Sequence, residues 1–126
     1  MKNIKKQYKI KALKEDVFTA LTNPLSIEMW SGEPAIMTLE EGSEFSLWDG
    51  NITGKNLKID SPNSIQQQWY FEGEEEQSIV TLNLLQEGAY TTVNLLHINI
   101  PDEAFDNIID GWDNYYMKPL KQLVEE

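Results

Sequence analysis

His97 is the only histidine in the chain, and an imidazole is the side chain best suited to moving protons near neutral pH. It lies near the end of a strand-like run, and no serine, threonine or carboxylate is tied to it by a recognisable motif. A structural role is expected, and the protein reads as no enzyme. There is no cysteine, which removes thiolate nucleophiles, disulfides and thiolate metal sites together. One histidine and carboxylates scattered through turns offer no zinc spacing. The acidic run Glu72 to Glu76 lacks the spaced Asp/Asn pattern of a calcium loop. Gly50 and Gly54 fall in a hairpin and its following strand rather than between a strand and a helix, so a phosphate loop fails on context. Their expected work is positive φ and tight sheet bending. Neither a metal nor another cofactor is expected.

The elements that must position these residues follow from periodicity. Ile4, Tyr8 and Ile10 alternate with Lys5, Gln7, Lys9 and Lys11, a half-buried strand with a basic outer face. From Lys14 the period changes: Val17, Phe18 and Leu21 make one face of a short helix. Asn23-Pro24 ends it and starts a second, with Asn23 as cap and Pro24 in the first turn. Strands are then expected at Ala35 to Leu39, Glu44 to Trp48, Ile52 to Ile59, Ile65 to Phe71, Ser78 to Leu85 and Tyr90 to Asn99. Asp49-Gly50-Asn51 is a strong hairpin signal among them. Gln66, Gln67, Gln68, Asn83, Asn94 and His97 interrupt the apolar alternation. Either one sheet face is solvated, or some polar side chains point into a partly hydrated interior.

A single long helix is expected from Asp102 to Glu126, carrying Phe105, Ile108, Ile109, Trp112, Tyr115 or Tyr116, Leu120, Leu123 and Val124 at three-four spacing. At 1.5 Å per residue it would run about 37 Å. Pro119 cannot donate to the carbonyl of Tyr115 and should kink the helix there. The kink either lets the last turn follow a curved sheet or opens one end of a cavity. The expected whole is one α+β domain over residues 1–126, with two short helices after the first strand and a curved antiparallel sheet of six to seven strands around the long helix.

Net charge is −11. Every base is a lysine, and six of the ten precede residue 15. An acidic chain without arginine is a poor fit to nucleic acid. No apolar run reaches membrane-spanning length, and with no apolar stretch after Met1 to Gln7 a secretory leader is not expected. A cytoplasmic monomer is expected.

Read together, these stretches place the chain by resemblance. Val17-Phe18-Thr19-Ala20-Leu21-Thr22 and Trp30 come first, then Gly42 to Leu47, then Asp49-Gly50-Asn51-Ile52-Thr53-Gly54. Ile65 to Trp69, Ser78 to Leu82, Ile100-Pro101 and Gly111-Trp112-Asp113-Asn114-Tyr115-Tyr116-Met117-Lys118-Pro119-Leu120-Lys121 follow in order. The sequence resembles the START-like helix-grip superfamily, and within it the C-terminal domain of the activator of heat-shock-protein-ninety ATPase. The resemblance implies a curved sheet gripping the C-terminal helix, often with an apolar cavity between them. It also implies a non-catalytic domain acting through protein interaction, with a chaperone of that class as a possible partner. The eukaryotic activators of the family carry a further N-terminal domain, and none is expected here.

Trp30, Phe45, Trp69, Phe71, Phe105, Trp112 and Tyr116 are expected to meet between sheet and helix. They either fill the core, at roughly 2–3 kcal/mol each, or line a pocket for a small apolar or amphipathic ligand. His97 and Ile109 join them as candidates for such a cavity. Lys5, Lys9 and Lys11 are the candidates for a surface that meets an acidic partner.

Overall fold

The computed structural model describes residues 1–125. The chain opens with β1 (Lys2–Ile10), in which exposed Lys5 and Lys9 alternate with buried Ile4 and Ile10, while half-buried Lys6 lies on the same side as the isoleucines. Two short helices follow, α1 (Lys14–Thr22) and α2 (Pro24–Ser31). The Asn23 side chain accepts the Ser26 N–H at 3.0 Å, with Pro24 in the first turn. A capping amide thus ends one helix and starts the next.

Five more strands complete the sheet: β2 (Glu44–Leu47), β3 (Ile52–Asp60), β4 (Ser64–Trp69), β5 (Ser78–Glu87) and β6 (Tyr90–Ile100). Every pairing is antiparallel, in the order β1-β6-β5-β4-β3-β2. Register shifts in β1 and β3 mark bulges, which bend strands and increase their twist. Gly54 serves a close approach and not a positive φ. A Cβ there would sit 2.0 Å from the Gln68 carbonyl oxygen and 2.7 Å from the Phe45 ring.

The expected strand from Ala35 to Leu39 does not form. Only Ile36 pairs, in a single bridge to Ser46, and Ile36 and Leu39 are exposed while Met37 is buried. One buried residue in five cannot hold a strand face to a core. The long helix is also not uniform. A 3₁₀ turn (Asp102–Ala104) leads into α3 (Phe105–Asp110), a π-helical stretch (Gly111–Met117) and α4 (Lys118–Val124). Instead of a simple kink at Tyr115, the turns before Pro119 widen. Its ring would press on the carbonyl one α-turn back, and the wider turn relieves that crowding. It also stacks residues five apart, so Trp112, Tyr116 and Met117 are all buried, with Leu120 following. Glu126, the expected last residue of the helix, lies outside the described residues.

The inward side chains of the sheet, the helix face and Val17, Phe18, Leu21, Ile27 and Trp30 form one apolar cluster. Among the described residues no helix is long and apolar enough to cross a membrane.

Candidate functional site

The helix meets the sheet through aromatic rings. Trp112 stacks on Trp69 with centroids 4.9 Å apart and planes 21° from parallel. Tyr116, one turn on, lies 4.5 Å from Trp112, 4.9 Å from Trp30 and 5.7 Å from Trp48. Trp48 belongs to the β2–β3 turn, where Trp48, Asp49 and Gly50 all have positive φ (50°, 51° and 94°). The Asn51 N–H closes that turn on the Trp48 carbonyl at 3.1 Å. Left-handed backbone is unusual for a bulky residue and marks a conformation imposed by its surroundings. Here the indole is wedged against Trp30 at 5.6 Å and against Tyr116.

Between this turn and the π-helical stretch opens a cleft of about 600 Å³. Trp48, Ile52 and Trp69 form its sheet wall; Ile108, Trp112 and Tyr116 form its helix wall. Asn51, Asn107 and Tyr115, all exposed, stand at its mouth. No described residue hydrogen-bonds the Tyr116 hydroxyl, although the residue is 3% exposed and burial alone raises its pKa above the usual phenol range. No fully buried side-chain polar atom in the described structure lacks a partner, so this hydroxyl borders open space.

Behind the cleft the polar groups are closed on one another. His97 is 0% exposed. The Trp112 indole N–H donates to His97 Nδ1 at 3.1 Å. An indole only donates, so Nδ1 must accept and the ring proton sits on Nε2. Nε2–H then donates to Ser78 Oγ at 2.8 Å, and the Ser78 hydroxyl donates to the Ile98 carbonyl at 3.1 Å. Burial lowers the His97 pKa to about 3, so the ring is neutral. A second chain runs along the sheet: the Trp69 N–H donates to Gln67 Oε1 (3.1 Å), Gln67 Nε2 to Asn56 Oδ1 (3.0 Å), and Asn56 Nδ2 to Ser43 Oγ (3.2 Å) and the Thr38 carbonyl (3.3 Å). Buried amides are thus fully partnered. The interrupted alternation has two causes. Gln67 and His97 point inward, whereas Asn83 is exposed and Gln66 and Asn94 bond across the outer face to Thr81 and Gln7.

Of the expected cavity residues, Trp69, Trp112 and Tyr116 wall the cleft. Trp30 backs Tyr116, and Phe45 is buried under Gly54. Phe71 lies 6.4 Å from the His97 ring. His97 sits behind Trp112, away from the cleft. Phe105 carries the Lys2 ammonium 4.8 Å over its ring, and Ile109 packs on the core. Lys5 and Lys9 are exposed on β1, and Lys11 is exposed just past its end. Trp48, Ile52, Ile108 and Tyr115 were missed as lining residues. The signal for Trp48 was its place beside Asp49-Gly50, which turns a strand-end indole back over the sheet.

A six-stranded antiparallel sheet closed on a C-terminal helix, with an aromatic cleft between them, defines an α+β helix-grip domain of the START-like kind. The chain belongs to the family described as Activator of Hsp90 ATPase homolog 1-like protein, whose model matches residues 11–125. It is 24% identical over 110 residues to the mouse Activator of 90 kDa heat shock protein ATPase homolog 1, covering 86% of this chain and 32% of that protein. The chain therefore spans about a third of the length of the curated relatives it matches. Among solved structures it resembles an HSP90 activator from Plasmodium falciparum, with TM-score 0.89, 24% identity, and 96% and 94% of the two chains covered. It also resembles the Aha1 dimer from Colwellia psychrerythraea, with TM-score 0.84, 21% identity, and coverage of 99% and 97%. At these identities the structural likenesses bear on the fold alone.

Proposed function

We propose that this domain works by binding rather than by chemistry, as a chaperone-activator-type module that biases the conformation of a partner protein. Family membership over residues 11–125 carries the reading. What supports its non-catalytic character is the state of the only imidazole: both His97 nitrogens are committed, and burial keeps it neutral. A cytoplasmic, monomeric protein fits this reading. The test is the ATPase rate of the host's ninety-kilodalton heat-shock chaperone with and without the purified domain. A saturable change in rate is expected; no binding and no change would remove the proposal.

A second reading is favoured by the cleft. Its volume of about 600 Å³ falls within the range of small-molecule sites. Three indoles and a phenol with no partner among the described residues line it, a surface suited to a flat apolar or amphipathic ligand with one hydrogen-bonding group. Titration with anilinonaphthalene sulfonate, followed by amide shifts, should move Trp48, Ile108 and Tyr116. Shifts confined elsewhere would count against it.

A further inference from the structure

Deepening the protein-interaction reading and resting on it, we infer that the free edge of β1 and the end of the C-terminal helix form a groove for an extended acidic segment of a partner protein. β1 is an end strand of the sheet. From Ile4 to Lys9 no described group outside β6 pairs with its backbone. A second groove, of about 390 Å³, runs beside it. One wall is Gln7, Tyr8, Lys9 and Ile10, four consecutive residues. Alternate side chains of a strand leave by opposite faces, so a groove touching all four runs along the strand's edge and meets its unpaired N–H and C=O groups. Such an edge is a template for an added strand.

The opposite wall supplies charge. Lys118 and Lys121 of α4 line this wall, with Met117 beside them; Lys9 lines the strand wall, its ammonium 4.7 Å over the Tyr90 ring. Eight of the ten lysines lie in residues 2–14 or at 118 and 121; only Lys55 and Lys58 lie elsewhere. Lysine on an edge strand also guards against unwanted pairing, but that does not account for helix lysines converging on the same groove. Asp113 also lines the groove, and it and Glu125 are already engaged. Asp113 takes Lys6 Nζ at 2.5 Å and the Tyr8 hydroxyl at 2.8 Å. Glu125 Oε2 lies 3.9 Å from Lys121 Nζ and accepts the Lys11 N–H at 2.9 Å. The last of these places a carboxylate on a backbone N–H just past the end of β1.

The probe is a short synthetic peptide of alternating glutamate and valine, with anisotropy for affinity and amide shifts for location. Saturable binding that moves residues 5–10 and 117–121 is expected. Combining Lys9→Glu, Lys118→Glu and Lys121→Glu should weaken it at least about tenfold, with unchanged circular dichroism. Lys55→Glu with Lys58→Glu, an equivalent charge change elsewhere, should leave it within about twofold. N-methylation of alternate peptide amides should abolish binding. Equal loss in the two lysine variants, undiminished binding of the methylated peptide, no saturable binding, or displacement of the peptide by a second copy of the chain would each overturn the inference. A triple variant that still alters the chaperone's rate as wild type does would overturn it while leaving the proposed function standing. A domain that takes the peptide but leaves that rate unchanged would support the groove and sink the chaperone reading.

Discussion

One turn of helix separates two polar groups with opposite fates. Trp112 sends its N–H into the core, where His97 and Ser78 pass the bond on to a backbone carbonyl. Tyr116 is as deeply placed, yet its hydroxyl meets no described partner and borders the cleft. A buried polar group that is fully bonded fixes one packing; one left unbonded costs stability unless water or a ligand reaches it. The His97 side of the grip is therefore scaffold, and the Tyr116 side is the one to which the proposed cleft ligand belongs.

Breaking the scaffold side should have the largest effect. Trp112→Ala removes a stacked indole and strips His97 Nδ1 of its donor, and should cost about 3–5 kcal/mol by denaturant unfolding. A variant as stable as wild type would show that the helix face is not held by this ring. The next effect is pH-dependent. His97 has a folded pKa near 3 against an ordinary 6.5. Below pH 6.5 the unfolded chain gains a proton that the folded chain refuses. Stability is thus full above 6.5 and falls as pH drops toward 3, by about 1.4 kcal/mol per unit. Between pH 7 and 5, above most carboxylate titration, the loss should approach about 2 kcal/mol, and His97→Gln should flatten the profile. Ser78→Ala leaves Nε2–H without its acceptor and should cost about 1–2 kcal/mol; calorimetric melting measures it. Tyr116→Phe should be smallest, within about 0.5 kcal/mol in stability, while weakening any cleft ligand that bonds the hydroxyl. A large stability loss there would erase the contrast between the two sides.

Much of this was legible in the chain. Asn23-Pro24 and Asp49-Gly50 act locally, through capping and positive φ, and local chemistry is visible in local sequence. Trp112 and Tyr116 stand out because they share one face whether the helix is α or slightly wider. That same coincidence hid the π-helical stretch: apolar residues at 112, 116 and 120 satisfy α periodicity, and only Met117, apolar just beside Tyr116, hints otherwise. Asn56 and Ser78 could not be singled out, because an amide or hydroxyl looks the same in sequence whether water or a distant side chain satisfies it. The Ala35 to Leu39 segment alternates well enough for a strand, but its fate depends on whether the sheet extends that far.

All four tryptophans of the chain sit in one aromatic assembly, with Tyr116 touching Trp30, Trp48 and Trp112, and Trp69 lying flat on the last of these. At these separations the indoles should couple optically, with an exciton signature in circular dichroism and energy transfer toward the member nearest solvent as the expected outcome. Trp48 lies at the cleft, so the protein carries its own reporter there, and no label is needed to see the cleft fill.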